Sequence, residues 1–138
     1  MPVSAIPNFT RASFLARLSP NGSSLVYSTL TDAQGNVGGG LALDASDHAV
    51  VILLEAGGAS VLRFNPEGTA VIFSDFLPGT FYAGSLSGSL SADASGNTYL
   101  ALPAVANYPV KNSLASCDAD GFSALTVLDE GGNILQST

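Results

Sequence analysis

Basic residues and histidine are scarce in this sequence. Of its 138 residues, 4 are Lys or Arg and 1 is His, against 11 Asp or Glu, so the formal net charge is −7. A nucleic-acid-binding protein needs a basic surface that neutralises phosphates, and an anionic membrane attracts basic segments. The charge balance therefore argues against nucleic acid and against an anionic membrane surface as partners.

Cysteine and long apolar runs are scarce as well. Cys117 is the single cysteine, so the chain can form neither an internal disulfide nor a thiolate metal site. A membrane-spanning helix needs about 20 apolar residues, whereas the longest apolar stretch, Ala49 to Leu62, is interrupted by Glu55 and by the Gly57-Gly58 pair. The N-terminus lacks the basic and apolar regions of a secretory signal. We therefore expect no membrane insertion and no signal peptide in this chain.

What the sequence does contain is material for an all-β fold. Apolar residues make up 46%, which is incompatible with a disordered chain, whereas 15 Gly and 7 Pro interrupt every window that could form an amphipathic helix. Short alternating or β-branched runs between turn residues predict ten strands, joined mostly as hairpins, in a single domain over 1–138. The predicted strands are Ser13–Leu18, Ser24–Leu30, Gly39–Leu43, Ala49–Leu54, Ser60–Phe64, Ala70–Phe76, Ser87–Ala92, Thr98–Leu102, Phe122–Leu128 and Asn133–Gln136.

Two kinds of hairpin alternate along the chain. The first kind, at Phe14–Ser28, returns at Val61–Ser74, where Pro66 stands 46 residues after Pro20, and in degraded form at 125–138. The second kind, at Leu41–Val51, returns 49 residues later. A period in the high forties with four strands per unit is typical of β-propeller blades. The repeats therefore predict a half blade at about 12–30, a blade at 37–76 and a blade at 87–138.

The number of blades raises the question of closure. Closed propellers typically have about 4–8 blades, so this chain alone cannot close such a ring. Three explanations remain open: the chain is a fragment of a longer protein, copies associate, or the strands close differently as a small β-barrel or sandwich. An open array exposes apolar edges and faces, which promote association. We therefore expect a homo-oligomer.

The same residues carry a family resemblance. The segment from Phe14 to Thr29, with its Leu-Ser-Pro-Asn-Gly turn, resembles the secreted bacterial β-propeller repeat (SBBP) family, as do Asp93 to Tyr99 and Asn107 to Val110. The likeness runs from about Phe9 to the end of the chain and departs from the family where Asp47-His48 replaces the usual Gly-Asn. It implies a blade array in an exported or surface bacterial protein. It implies no activity, because the family is defined by its repeat.

His48 and the acidic residues around it form one candidate site. A histidine near Asp44 and Asp47 could act as a general base oriented by a carboxylate. However, no nucleophile partner is indicated, and the matching turn has Asn97, so a hairpin-tip residue that tolerates the left-handed conformation is favoured. Asp44 and Asp93 occupy the same place in successive units, which favours Asx-turns over calcium ligation.

The long loop from Pro103 to Gly121 supplies the candidate metal ligands. Asp118 and Asp120, next to Cys117, could hold Ca²⁺ weakly together with loop carbonyls. The alternative is a solvated loop that contributes to solubility.

Aromatic residues supply the candidate ligand-binding positions. Tyr82 and Tyr108 lie outside the repeat register, so they are predicted to bind a carbohydrate or protein ligand. Tyr27 and Phe73 match between repeats and are predicted to fill the space between sheets. No cofactor is predicted. One His, one Lys and three Arg argue against a catalytic cluster, so we expect a non-catalytic scaffold or binding module. The alternative is a fragment of a propeller lyase or hydrolase with its site at the central channel.

Overall fold

The computed structural model describes residues 13–31, 36–55, 57–79, 89–113 and 123–138. These residues form ten strands and no helix. Among them there is therefore no helix long and apolar enough to cross a membrane. The all-β class is confirmed, and every predicted strand is present to within three residues of its expected bounds. The strands are β1 (Ser13–Leu18), β2 (Leu25–Thr31), β3 (Asn36–Leu43), β4 (Ala49–Glu55), β5 (Gly58–Phe64), β6 (Val71–Pro78), β7 (Ser89–Ala92), β8 (Thr98–Pro103), β9 (Ser123–Leu128) and β10 (Ile134–Ser137).

The strands form three antiparallel sheets in chain order. We call β1-β2 the hairpin sheet, β3-β4-β5-β6 the middle sheet and β7-β8-β9-β10 the last sheet. The four-stranded antiparallel sheets expected from the repeats are therefore confirmed. Within the described ranges none of the three sheets closes on itself, so the barrel alternative does not describe this fold.

The middle sheet lies between the other two. The first six residues of β4 are all buried, as expected for an apolar strand that is covered on both faces. Alternate β4 residues belong to different cores, because successive side chains of a strand point to opposite faces. Val50 packs with Leu100 of the last sheet, whereas Val51 packs with Leu15 of the hairpin sheet.

Five tight turns share one conformation at one end of the sheets. In each turn the N–H of the fourth residue donates to the carbonyl of the first, at 2.8–3.1 Å, and the fourth residue has a positive φ. Glycine fills that position in four turns because it adopts this conformation without steric cost. The first and fourth residues are Ser19 and Gly22, Asp44 and Asp47, Asn65 and Gly68, Asp93 and Gly96, and Asp129 and Gly132.

The turn between β3 and β4 is the exception to the glycine rule. Its fourth residue is Asp47, with φ of 65°. The left-handed conformation was expected at His48, and this expectation was wrong by one position. The first residue of the turn is Asp44, and its carbonyl accepts the N–H of Asp47, three residues later. The strained position is therefore Asp47.

Candidate functional site

The aspartates that open the turns bond to the turn backbone. Asp44 Oδ1 accepts the N–H groups of Ser46 at 2.8 Å and His48 at 3.0 Å. The Asx-turns predicted for Asp44 and Asp93 are confirmed, since Asp93 Oδ1 makes the same pair of bonds two and four residues on. Asp129 opens a third turn of this kind. Hydrogen bonds lower the pKa of Asp93 and of Asp129. In each case the largest contribution comes from the side chain of the asparagine four residues later, and the backbone bonds add to it.

The second oxygen of Asp44 belongs to a buried cluster. Asp44 Oδ2 accepts a bond from Arg63 Nη2 and lies 2.9 Å from His48 Nδ1, which donates to it when that nitrogen carries the proton. The Asp44 and Arg63 side chains are 3% and 2% exposed. Burial raises the pKa of Asp44, but the bonds from His48 and Ser46 and the charge of Arg63 outweigh burial and hold this pKa below its ordinary value. His48 thus supports the turn, as Asn97 does by donating to Asp93.

Arg63 also joins the middle sheet to the last sheet. Its Nη1 donates to the Gly96 carbonyl, in the first turn of the last sheet, at 2.5 Å. Arg17, 46 residues before Arg63, reaches from the hairpin sheet to the first turn of the middle sheet, where Nη2 bonds to Asp47 at 2.8 Å. Asp47 and Gly96 are themselves 49 residues apart, so they are equivalent in the repeat. Within the described ranges, an arginine on one sheet therefore contacts the fourth turn residue of the next sheet twice.

A second inter-sheet contact also occurs twice. The Tyr27 ring of the hairpin sheet lies against Gly68, and the Phe73 ring of the middle sheet lies against Gly132, so closely that neither glycine has room for a side chain. Phe73 is buried in the core between the middle sheet and the last sheet, and Tyr27 packs against the core between the hairpin sheet and the middle sheet, which confirms that both fill the space between sheets.

The last sheet lacks both of these contacting side chains. In the degraded third copy of the hairpin, Val127 stands at the arginine position and Gln136 at the aromatic position. Both are half-buried and pair with each other across β9 and β10. The two inter-sheet contacts are thus specific to the sheets that have a following sheet among the described residues.

Sequence reasoning missed Arg63. An arginine inside an apolar strand is ordinarily interpreted as exposed, and Arg63 was predicted only as part of a repeated strand. The signal that could have found it is its recurrence, because Arg17 stands at the same position of the first copy. Of the described charged side chains, only Arg63 and Asp44 are buried.

The predicted ligand-binding tyrosines are placed differently from expectation. Tyr108 is 4% exposed in the core, and its hydroxyl lies 2.7 Å from Thr126 Oγ1. Burial raises the pKa of Tyr108, with the bond to Thr126 opposing the rise. The Tyr108 ring is a component of the core, and its predicted ligand-binding role stays a prediction. Tyr82 lies outside the described residues.

The predicted metal ligands Asp118 and Asp120, with Cys117, also lie outside the described residues. Within the part of the chain that the structure describes, no three His, Cys, Asp or Glu side chains are grouped so that they could hold a metal ion.

Comparison of the chain with family models, with curated proteins and with solved structures finds no match. The resemblance to the SBBP repeat therefore depends on the sequence motifs and stays a prediction.

Proposed function

We propose that this chain is a non-catalytic β-propeller scaffold or binding module of an exported or surface bacterial protein, and that copies associate to complete its array of sheets. The observation that carries the proposal is the repeated pair of inter-sheet contacts, made by Arg17 and Tyr27 and then by Arg63 and Phe73. Repeat proteins are stabilised by such nearest-neighbour interfaces, which extend an array one unit at a time. The exported or surface location follows from the family resemblance.

An exposed apolar face supports the association. On the outer face of the hairpin sheet, Phe14 is 67% exposed and Leu18 is 58% exposed. The equivalent of Leu18 in the middle sheet is Phe64, which is 2% exposed because the hairpin sheet covers it. The outer face of the hairpin sheet thus has the character of a face that another sheet covers, and exposed apolar patches of this kind mark interaction sites.

The hydrogen bonds of the buried cluster favour a scaffold over an enzyme. A catalytic role would use His48 as a base with Asp44 as its orienting carboxylate. In the structure Asp44 is bonded to its own turn and to Arg63, and His48 is one of its turn partners. These groups explain the geometry of the turn without a substrate.

The test is the absolute mass in solution, measured by light scattering over a range of concentrations. We expect a discrete oligomer of the 13.9 kDa chain, shifted to lower mass by Phe14→Asp. Val110→Asp is the matched control, because Val110 is 54% exposed but lies in no sheet, and it should leave the mass unchanged. Circular dichroism checks that both variants fold. A monomer at every concentration would contradict the proposed association.

A further inference from the structure

The hairpin sheet is half of the sheet that the repeat implies. Its strand β1 is equivalent to β5, which pairs with β4 on one side and β6 on the other. β1 pairs with β2, and no described strand lies along its opposite edge. The two strands that the described residues do not supply are those that would correspond to β3 and β4.

The edge strand β3 of the middle sheet exposes apolar side chains on the face toward the hairpin sheet. Leu41 on β3 is 58% exposed and Leu43 is 55% exposed. Leu41 pairs with Val51, so it lies on the face that the hairpin sheet partly covers. Its equivalent 49 residues later, Leu90, packs against the core under β3, with its Cβ only 3.1 Å from the point where a Cβ on Gly40 would lie. A strand placed before β3, as β3 is placed before β7, would cover Leu41 in the same way.

The charge pattern also indicates an element that the described part of the chain does not supply. Arg63 bonds to Asp44, in the first turn of its own sheet, and to Gly96 in the next sheet. Arg17 contacts Asp47 and, at 3.5 Å, the Pro66 carbonyl, both of which belong to the middle sheet. The side chain of Arg17 is 38% exposed. The counterpart of Asp44 in the hairpin sheet would lie in the turn between the two strands that correspond to β3 and β4.

We infer that the open edge of β1 binds a β-hairpin of the second repeat kind, donated by another chain that carries this repeat. This inference depends on the proposed role as an assembling array of sheets. The hairpin would pair with β1, cover Leu41 and Leu43, and place a turn aspartate against Arg17. It needs a small residue at the position of Gly40, because only such a residue lets a leucine approach closely. The segment 36–55, which forms β3 and β4, has both features.

The experiment titrates a fluorescently labelled peptide of residues 36–55 with the full chain and follows its anisotropy. A short uncharged hydrophilic tail keeps the apolar peptide in solution. We expect saturable binding that weakens about tenfold, or about 1.4 kcal/mol, with Leu41→Asp in the protein. We expect a loss of similar size with Asp44→Asn in the peptide. Asparagine forms the same turn at Asn65, so this change tests the charge and not the turn. Val110→Asp in the protein is the matched control and should leave binding unchanged.

Combining a substitution in the protein with one in the peptide distinguishes the loss of the charge pair from a general weakening of binding. If the peptide aspartate binds Arg17, then Arg17→Gln in the protein should cause no further loss for the Asp44→Asn peptide. Absence of saturable binding, or binding that ignores both Leu41→Asp and Asp44→Asn, would overturn the inference. Circular dichroism of the Leu41→Asp protein excludes unfolding as the cause of a loss.

The failure of this inference and the failure of the proposed function give different results. An oligomer whose mass is unchanged by Leu41→Asp, in a protein that binds no peptide, would retain the self-association and overturn the hairpin site. A monomer that binds the peptide with the expected dependence on Leu41 and Asp44 would retain the hairpin site and contradict self-association.

Discussion

Replacing Arg63 by methionine tests whether the buried cluster stabilises the fold. Methionine keeps an unbranched apolar stem of similar length, so Arg63→Met removes the charge and its hydrogen bonds with little change in packing. The variant loses the bond to Gly96 in the last sheet and leaves the Asp44 carboxylate buried without a cation. The repeat supplies a matched control, Arg17→Met, which removes the equivalent arginine from an exposed ion pair with Asp47.

The expected magnitudes differ because the two arginines differ in burial. Breaking a buried ion pair by removing one partner costs about 3–5 kcal/mol. Asp44 keeps bonds from Ser46 and His48, which places the expected loss for Arg63→Met near the lower bound, at about 3 kcal/mol. The Arg17 pair is screened by solvent, so we expect Arg17→Met to change the free energy of unfolding only slightly.

The assay is urea unfolding at neutral pH, followed by circular dichroism. Since small domains are stable by about 5–15 kcal/mol, a loss of about 3 kcal/mol gives a clear shift of the midpoint. Equal losses for Arg63→Met and Arg17→Met would refute the reasoning, because burial would then have no effect on the value of the pair.

The pH dependence of the same variant is a second prediction. The pKa of Asp44 is lowered in the folded protein, so its contribution to stability is present above the unfolded value of about 3.9 and is lost as the pH falls through the folded value. At pH values below the folded pKa, the protonated Asp44 no longer needs a cation. The difference in unfolding free energy between Arg63→Met and the parent should therefore shrink between pH 7 and about pH 3, and a constant difference would contradict this.

Two further predictions concern the turns. Asp47→Gly removes the cost of holding a non-glycine residue in the left-handed conformation, about 1 kcal/mol, and loses only the exposed contact with Arg17. Thermal unfolding should therefore show equal or higher stability, and a clear loss of stability would contradict the strain at Asp47. Gly22→Ala and Gly132→Ala strain the same turn position, but a new Cβ at Gly22 meets nothing, whereas at Gly132 it would meet the flexible Asp75 carboxylate and, at 2.9 Å, the Phe73 ring. Chemical denaturation should therefore show Gly132→Ala to be the more destabilising by about 1–3 kcal/mol, and equal losses would disprove the close packing of the ring.

The strands and their grouping could be predicted because the period of the repeat and the turn residues are local properties of the sequence. The position of strain in the turn that begins at Asp44 depends on which carbonyl accepts the closing bond. The motif alone suggested His48, whereas the strained residue is Asp47. The burial of Arg63 depends on Asp44, 19 residues earlier, and on the next sheet, so the pattern of a single strand cannot reveal it.

The burial of Tyr108 could not be predicted for a different reason. Its position outside the repeat register suggested a ligand-binding residue. In the structure the segment after β8 returns along the last sheet, where the backbone of Lys111 pairs with Ser137. This pairing brings the Tyr108 hydroxyl within 2.7 Å of Thr126 and places the ring in the core. A contact between such distant segments has no local sequence signal.

The common geometry of the five turns gives the molecule a constant end and a variable end. Each turn keeps the same bond between its first and fourth residues, and the whole connection between strands is five residues long in three hairpins and six in the other two, so the turn end varies by one residue at most. The first two copies of the first hairpin are 46 residues apart, but the second and third are 64 apart at the arginine position, and the turn end takes up none of that difference. Insertions, and with them any diversification of binding, should therefore be accepted at the end that carries the connections between β4 and β5 and between β8 and β9. The constant end is acidic, because the turn connections themselves carry Asp44, Asp47, Glu67, Asp93, Asp129 and Glu130.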